Sequence, residues 1–434
     1  MLLPTLIIMM PALASLSGFT RWYKQTSIAT SSVDLLLSLL LYKHLQVNFY
    51  LINKISWLFV IMIVSIYLLS TIYSLNYIVN PSLSENLYYA LIDLFAASMI
   101  FTVMVNNYGL MWVGIEATTI TSALLLFMEK SETSIEAAWR YIVLVSAGVA
   151  VAFISIILIY YSLGTLTVST ALAITKNSKV LALAVGIALV GFGTKIGVFP
   201  VHTWLPDAHS EAPAPVSAMF SGILLPTALY VLYMVYQLDP EMVLFIAFGM
   251  MSVTFASIAL LNQKNFKRMF AYSSMENMNI ALIGFVIGGL GIIGAEILLI
   301  AHAFAKAGAF YSSGIINRKY GTKNIDDVNG AWGLRLTSSS SLILSSLAVT
   351  GAPPFANFVG EFLILIQLFK IGLTYEAIFL ALIIAMAFIS VNYNVTKMVF
   401  SGNKRQSDPK IMAAVAAIAS LVPLLLGLFL VIYI

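Results

Sequence analysis

Six ionisable residues stand inside stretches that are otherwise apolar: Glu116 in MWVGIEATTI, Lys195 in GFGTKIG, Glu276 in YSSMENM, His302 and Lys306 in IAHAFAKAGAF, and Glu361 in NFVGEFL. A charge at mid-bilayer costs about 2.5–3.5 kcal/mol on insertion scales, so residues kept there are candidates for carrying protons or ions. Glu116 and Lys195 form one candidate unit. Removal from water disfavours the charged form of each, and proximity restores both. At an effective dielectric of about 20, charges about 4 Å apart attract by about 4 kcal/mol. Withdrawing the carboxylate then favours release of the amine's proton; the alternative is a static pair that fixes helix packing. His302 and Lys306 are four apart and share a helix face. They read as a relay step, or as a histidine bonded to a backbone carbonyl. Glu361 follows a helix break and reads as a terminal site, or as a polar group satisfied by freed backbone N–H groups. Glu276 lies within two turns of the basic loop QKNFKR and either admits protons from the inner face or pairs with Lys267 or Arg268. Asp34, Asp93 and Glu296 sit closer to the ends of their apolar stretches.

Lys195 precedes a second cluster, His202, Asp207, His209 and Glu211, in FPVHTWLPDAHSEAPAP. The D-x-H-x-E spacing is not a standard zinc pattern, and prolines flank it. A loop cap or proton-entry funnel is the better reading, and no metal is assigned. Arg140, in EAAWRYIV, reads as a snorkelling interface residue or as a charge that tunes Glu116.

These residues need helices to hold them in a membrane. The chain has 434 residues, 61% hydrophobic and 9% charged, where soluble domains carry about 25% charged residues. It is read as an all-α polytopic membrane protein. Apolar stretches give fourteen predicted spans, among them 2–20, 30–43, 180–200, a long broken one at 337–371, and 411–433. Residues 1–20 lack a basic start and a cleavage site, so they read as the first span. QVNFY, 46–50, is expected to be a short extracellular strand. Proline removes an amide donor and clashes with the preceding turn. Pro200, and Pro353 with Pro354, therefore break the seventh and twelfth spans. Two breaks five spans apart predict an inverted five-helix repeat. The domains expected are 1–84 (N-terminal helices), 85–237 (first half of the repeat, proton entry), 238–400 (second half, proton exit) and 401–434 (C-terminal helix).

Basic residues test the topology. With both termini outside, one set of loops holds Arg21, Lys24, Lys130, Arg140, Lys264, Lys267, Arg268, Arg318, Lys319, Lys323, Arg335, Lys397, Lys404, Arg405 and Lys410. The other holds Lys43, Lys54, Lys176, Lys179 and Lys370. That asymmetry places both ends on the outer face of a prokaryotic cell membrane. The chain has no cysteine, which excludes cysteine-ligated iron–sulfur clusters, disulfides and thiolate metal sites. His44, His202, His209 and His302 are too scattered for a bis-histidine haem pair, and no Walker loop occurs. No cofactor is expected in this chain, so if a redox reaction or ATP drives it, another subunit performs that chemistry.

TKIGVFPVHTWLPDAHSEAPAPVSAMFSGILL resembles the signature of the antiporter-like membrane subunits of respiratory complex I, membrane-bound nickel–iron hydrogenases and Mrp-type sodium/proton antiporters. NQKNFKRMFAYSSMENMNI, AHAFAKAGAF and GAPPFANFVGEFLIL resemble further blocks of that family, in its order. The resemblance covers roughly residues 85–400. MWVGIEATT, SIEAAWRYI, DAHSEAPAPVSA and AYSSMEN are most similar to the F-type subunit of formate hydrogenlyase, and Glu361 resembles the M-type complex I subunit. The resemblance implies that Glu116 is the fifth-span glutamate, Lys195 the seventh-span lysine, Lys306 or His302 the central relay, and Glu361 the exit group. Two positions depart from it: Pro226 stands where many members have lysine, and Asn277 where many have histidine. A proton wire there needs water, or Lys306.

The function implied is a proton-translocating subunit of a redox-driven complex. Its partner subunits would carry iron–sulfur clusters, nickel–iron or flavin. The alternatives are an Mrp-type sodium/proton antiporter subunit and a scaffold that does not pump.

Overall fold

The computed structural model describes residues 2–42, 46–78, 84–128, 131–174, 178–328, 330–331, 336–400 and 409–433. Lys43, His44, Lys130, Lys176, Arg335, Lys404 and Arg405, used above, lie outside them. The helices are α1 (Leu2–Ala14), α2 (Tyr23–Leu41), α3 (Lys54–Tyr77), α4 (Glu85–Met104), α5 (Tyr108–Phe127), α6 (Glu132–Leu163), α7 (Val168–Ala173), α8 (Lys179–Ile196) and α9 (Trp204–Glu211). They continue as α10 (Ala214–Met219), α11 (Leu225–Tyr236), α12 (Met242–Leu261), α13 (Phe266–Val286), α14 (Leu290–Tyr320), α15 (Leu336–Val349), α16 (Ala356–Lys370), α17 (Thr374–Phe400) and α18 (Lys410–Tyr433). The strand expected at 46–50 is one arm of a small hairpin, Gln46–Val47 paired antiparallel with Leu51–Ile52.

Among the described residues, eleven helical segments are long and apolar enough to cross a membrane. Helices α2 and α13 and the α15–α16 pair fall outside that set. Helix α13 carries Lys267, Arg268 and Glu276. Helix α2 begins at Tyr23, earlier than the apolar stretch at 30–43 suggests. The reason is that its polar residues Ser27, Thr30, Ser31, Asp34 and Ser38 are all buried, so the protein interior, not lipid, meets them.

The chain forms two compact units. The first comprises Met1–Thr71, Ile78–Trp204 and Ile223–Phe245. Within it, α4 packs on α1 and α5, α6 on α5 and α8, and α8 on α11. Asn107 and Ser131 cap α5 and α6 by accepting from Leu110 N at 3.1 Å and Ser134 N at 3.0 Å, the ordinary way of satisfying a first-turn amide. Gly191 lets α8 lie directly against α6, because a Cβ there would come 2.5 Å from Ala152 N.

The second unit comprises Ile72–Tyr77, Leu205–Gly222 and Ile246–Ile434. Helix α14, 31 residues long, is its centre and packs against α10, α13, α15, α16 and α18. Gly294 of α14 and Gly360 of α16 meet backbone to backbone: a Cβ on either would stand within 2.7 Å of the other's carbonyl oxygen.

Both predicted breaks are present, and each is repaired in the same manner. Helix α8 stops at Gly197, in the left-handed region at φ 92. The Trp204 indole N–H donates to the Thr194 carbonyl at 2.7 Å. Between α15 and α16 the chain turns through Gly351, φ 66. There the Asn277 amide donates to the Val349 carbonyl at 3.0 Å. Carbonyls released from a helix away from water need such partners. A π-helical turn at Phe220–Leu224 directly precedes Pro226 within a continuous helical span, and the local irregularity accommodates a residue that donates no amide.

Candidate functional site

Lys195 is fully buried in the last turn of α8. Its ammonium donates to the Ile115 carbonyl at 2.8 Å and to the Thr118 and Thr119 hydroxyls, each at 2.6 Å. An ammonium has three hydrogens and no acceptor, so the set is complete. The two hydroxyls pass their own hydrogens to Ile115 O at 2.6 and 3.2 Å, which leaves lone pairs for the lysine. Residues 115, 118 and 119 share one face of α5.

Glu116 points from a neighbouring face. It is half-buried, its Oε2 receives no hydrogen bond, and it forms no ion pair with Lys195 among the described residues. The charge of Lys195 nonetheless reaches it. The arrangement is therefore an amine in a neutral oxygen cradle with a carboxylate beside it, not a closed pair.

The second unit has its own buried lysine. Lys306 donates to the Phe270 carbonyl at 2.7 Å and to the Ser273 hydroxyl. His302, Glu276 and Glu361 are buried with it. The charge of Lys306 acts on His302, His209 and Glu276, and that of Glu361 acts on Glu276. The Ser221 backbone faces His302, yet among the described residues neither ring nitrogen completes a hydrogen bond. Glu276 accepts from the Ser257 hydroxyl over a long 3.5 Å. It pairs with neither Lys267 nor Arg268: Lys267 is buried and donates to the Ala212 carbonyl at 2.7 Å, and Arg268 pairs with Asp207. The carboxylate of Glu361 lies over Gly351, where a Cβ would collide with Oε2.

The four residues after the first break point in different directions. Asp207 meets Arg268, and Glu211 meets Lys323 at 2.9 Å. His209 is buried and stacked on Phe310 with ring centroids 5.1 Å apart. In the first unit, His202 stacks on Phe199 at 5.7 Å. Arg140 lies on an exposed side of α6, paired with Glu136 one turn earlier.

Residues 105–390 match the family described as NADH:quinone oxidoreductase/Mrp antiporter, TM. The chain belongs to that family. It is 31% identical over 350 residues to the hydrogenase-4 component F homolog of Methylacidiphilum infernorum (isolate V4), covering 74% of this chain and 73% of that protein. It is 28% identical over 394 residues to NADH-quinone oxidoreductase subunit N of Moorella thermoacetica, covering 88% and 82%. The fold matches a chain of the membrane-bound sulfane sulfur reductase, an archaeal respiratory membrane complex, with a TM-score of 0.91 and 21% identity over 99% of this chain and 95% of that one. This antiporter-like family member is accordingly a multi-pass membrane protein with buried charges in both units.

Reading by residue type overlooked the cradle. Thr118 and Thr119 follow Glu116 in IEATT, but threonines inside helices commonly bond their own preceding turn. The signal lay in their sharing a face with Ile115 and excluding Glu116. Lys267, counted above among loop cations, is buried. Asp34 and Asp93, set aside as lying nearer span ends, are fully buried as well.

Proposed function

We propose that this family member translocates protons as the membrane subunit of a larger redox-driven complex, of the kind that the names of the hydrogenase and NADH-quinone oxidoreductase relatives give for those proteins. The observation that carries the reading is Lys195. It is an amine out of contact with water, held by neutral oxygens, with a carboxylate in electrostatic reach but unpaired. Movement of Glu116 towards the amine favours its charged form, and movement away favours release of the proton. Lys306, with Glu276, His302 and Glu361 around it, supplies the later steps, and Glu361 is the exit group. Asn277 is a tie between α13 and the second break in this scheme, so the relay runs through Lys306. Fourteen crossings with both termini outside, arranged as an inverted five-helix repeat, complete the proposal. Partner subunits hold the iron–sulfur, nickel–iron or flavin groups.

The test is proton flux in the complex reconstituted into vesicles. Lys195→Ala is expected to abolish flux while the complex still assembles. Undiminished flux in that variant overturns the role of Lys195. Flux that requires sodium moves the function to sodium/proton exchange, and no flux in the wild-type complex moves it to a scaffold.

A further inference from the structure

A second set of buried carboxylates lies away from the lysines, in the N-terminal helices of the first unit. Asp34 on α2 and Asp93 on α4 are both fully buried. Asp93 Oδ1 accepts from the Ser27 hydroxyl at 2.5 Å and the Tyr67 hydroxyl at 2.6 Å. O–H···O bonds of that length are typical of an ionised acceptor. Among the described residues, its Oδ2 receives nothing, and neither oxygen of Asp34 receives a hydrogen bond. No lysine, arginine or histidine pairs with either among the described residues: Lys24, at the start of α2, is taken by Glu85 at 2.6 Å. The two aspartates lie within electrostatic reach of one another, and both act on Tyr67.

Apart from the Ser27 and Tyr67 hydroxyls, the polar groups of the same stripe have carbonyls for their hydrogens. Ser31 and Thr71, 3.4 Å apart, each have a backbone carbonyl for their hydrogen, Ile28 O at 3.0 Å and Leu68 O at 2.8 Å. Ser27, Ser31, Asp34 and Ser38 form one stripe on α2, and all are buried. On its other side Val33, Leu36, Leu39 and Leu40 are exposed. Helix α2 is thus polar towards the protein and apolar outward. Excess buried negative charge that lacks a protein cation calls for a positive ligand.

We infer that Asp34 and Asp93 bind one hard monovalent cation, a proton or a sodium ion, through oxygen atoms alone. Oxygen ligands without sulfur or imidazole suit such an ion. A route to the site runs along α4, where Glu85, Tyr89 and Asp93 are spaced four apart and share a face. The part-exposed Glu85 accepts from Tyr23 at 2.9 Å. Tyr89, whose hydroxyl is buried without a hydrogen bond, feels the charges of Glu85, Tyr23 and Asp93.

The test uses the full chain purified with the subunits that accompany it. The unfolding midpoint is followed as sodium chloride replaces choline chloride at alkaline pH, and the infrared carboxyl region is recorded across pH at constant salt. A sodium site gives saturable stabilisation by sodium, lost in Asp34→Asn and Asp93→Asn. A proton site gives a protonated-carboxyl C=O stretch that disappears as pH rises and is missing in Asp34→Asn, with sodium inert. Tyr67→Phe removes one donor to Asp93 while keeping the ring, so it covers the case in which the asparagine variants do not assemble. It must shift the midpoint of whichever titration is seen. An inert sodium titration together with no titrating carboxyl band overturns the inference, and so does an unmoved midpoint in Tyr67→Phe.

Discussion

At Lys195 each ammonium hydrogen has its own oxygen, and two of the three oxygens are threonine hydroxyls. A hydrogen bond to a charged group contributes about 1.5–3 kcal/mol, and a buried donor left without one costs a similar amount. Replacing Thr118 and Thr119 together by valine keeps the volume but leaves two ammonium hydrogens without partners. The expected result is proton flux reduced at least about tenfold, since about 1.4 kcal/mol already accounts for a factor of ten, with assembly retained. Serine at both positions restores the oxygens and should recover flux. Equal flux in the valine and wild-type complexes would show that the cradle does not set the lysine's protonation. The identity of Lys195, His302, Lys306 and Glu361 was legible in the sequence because an ionisable group in an apolar run stands out. The cradle was not, because a threonine gives the same local signal whether it caps its own helix or holds a neighbour's amine.

At the scale of helices, the two breaks depend on glycine. Gly351 and Gly372 both adopt positive φ, 66 and 84, where an L-residue costs about 1–2 kcal/mol. They differ in what a Cβ would meet: the Glu361 carboxylate at Gly351, and nothing within 4 Å at Gly372. Gly351→Ala should therefore lower the unfolding midpoint more than Gly372→Ala, and it alone should impair flux. Matching losses in the two variants would mean that the carboxylate does not need the space over the break. The breaks themselves could be anticipated from Pro200, Pro353 and Pro354. Which groups would repair them could not, since Trp204 and Asn277 carry no local mark of a distant carbonyl. The start of α2 is hidden for a related reason: hydropathy averaged along a helix discards the face on which its serines lie. Lys267 neighbours Arg268 and Lys264 and so carries the sequence signal of a loop cation, although its side chain is enclosed.

Across the whole molecule, each unit contains a buried lysine that donates both to a carbonyl and to a hydroxyl, Lys195 in the first and Lys306 in the second. If translocation needs both, Lys195→Ala and Lys306→Ala each abolish flux, and the double variant is no worse than either alone. Such non-additivity marks groups that work as one series. Flux halved by each substitution and abolished only in the pair would instead indicate two independent routes. The outward leucines and inward serines of α2 bear on how the chain is made. An aspartate at a helix centre opposes insertion by about 2.5–3.5 kcal/mol, and Lys24, Gln25 and the serines and threonines of the same helix work against the leucines that would offset it. As the nascent chain leaves the ribosome, α2 therefore cannot settle between lipids by itself. It has to wait at the translocon until α3 and α4 have been synthesised and bring it Tyr67, Thr71 and the companion of Asp34, so the amino-terminal helices enter the bilayer as a group.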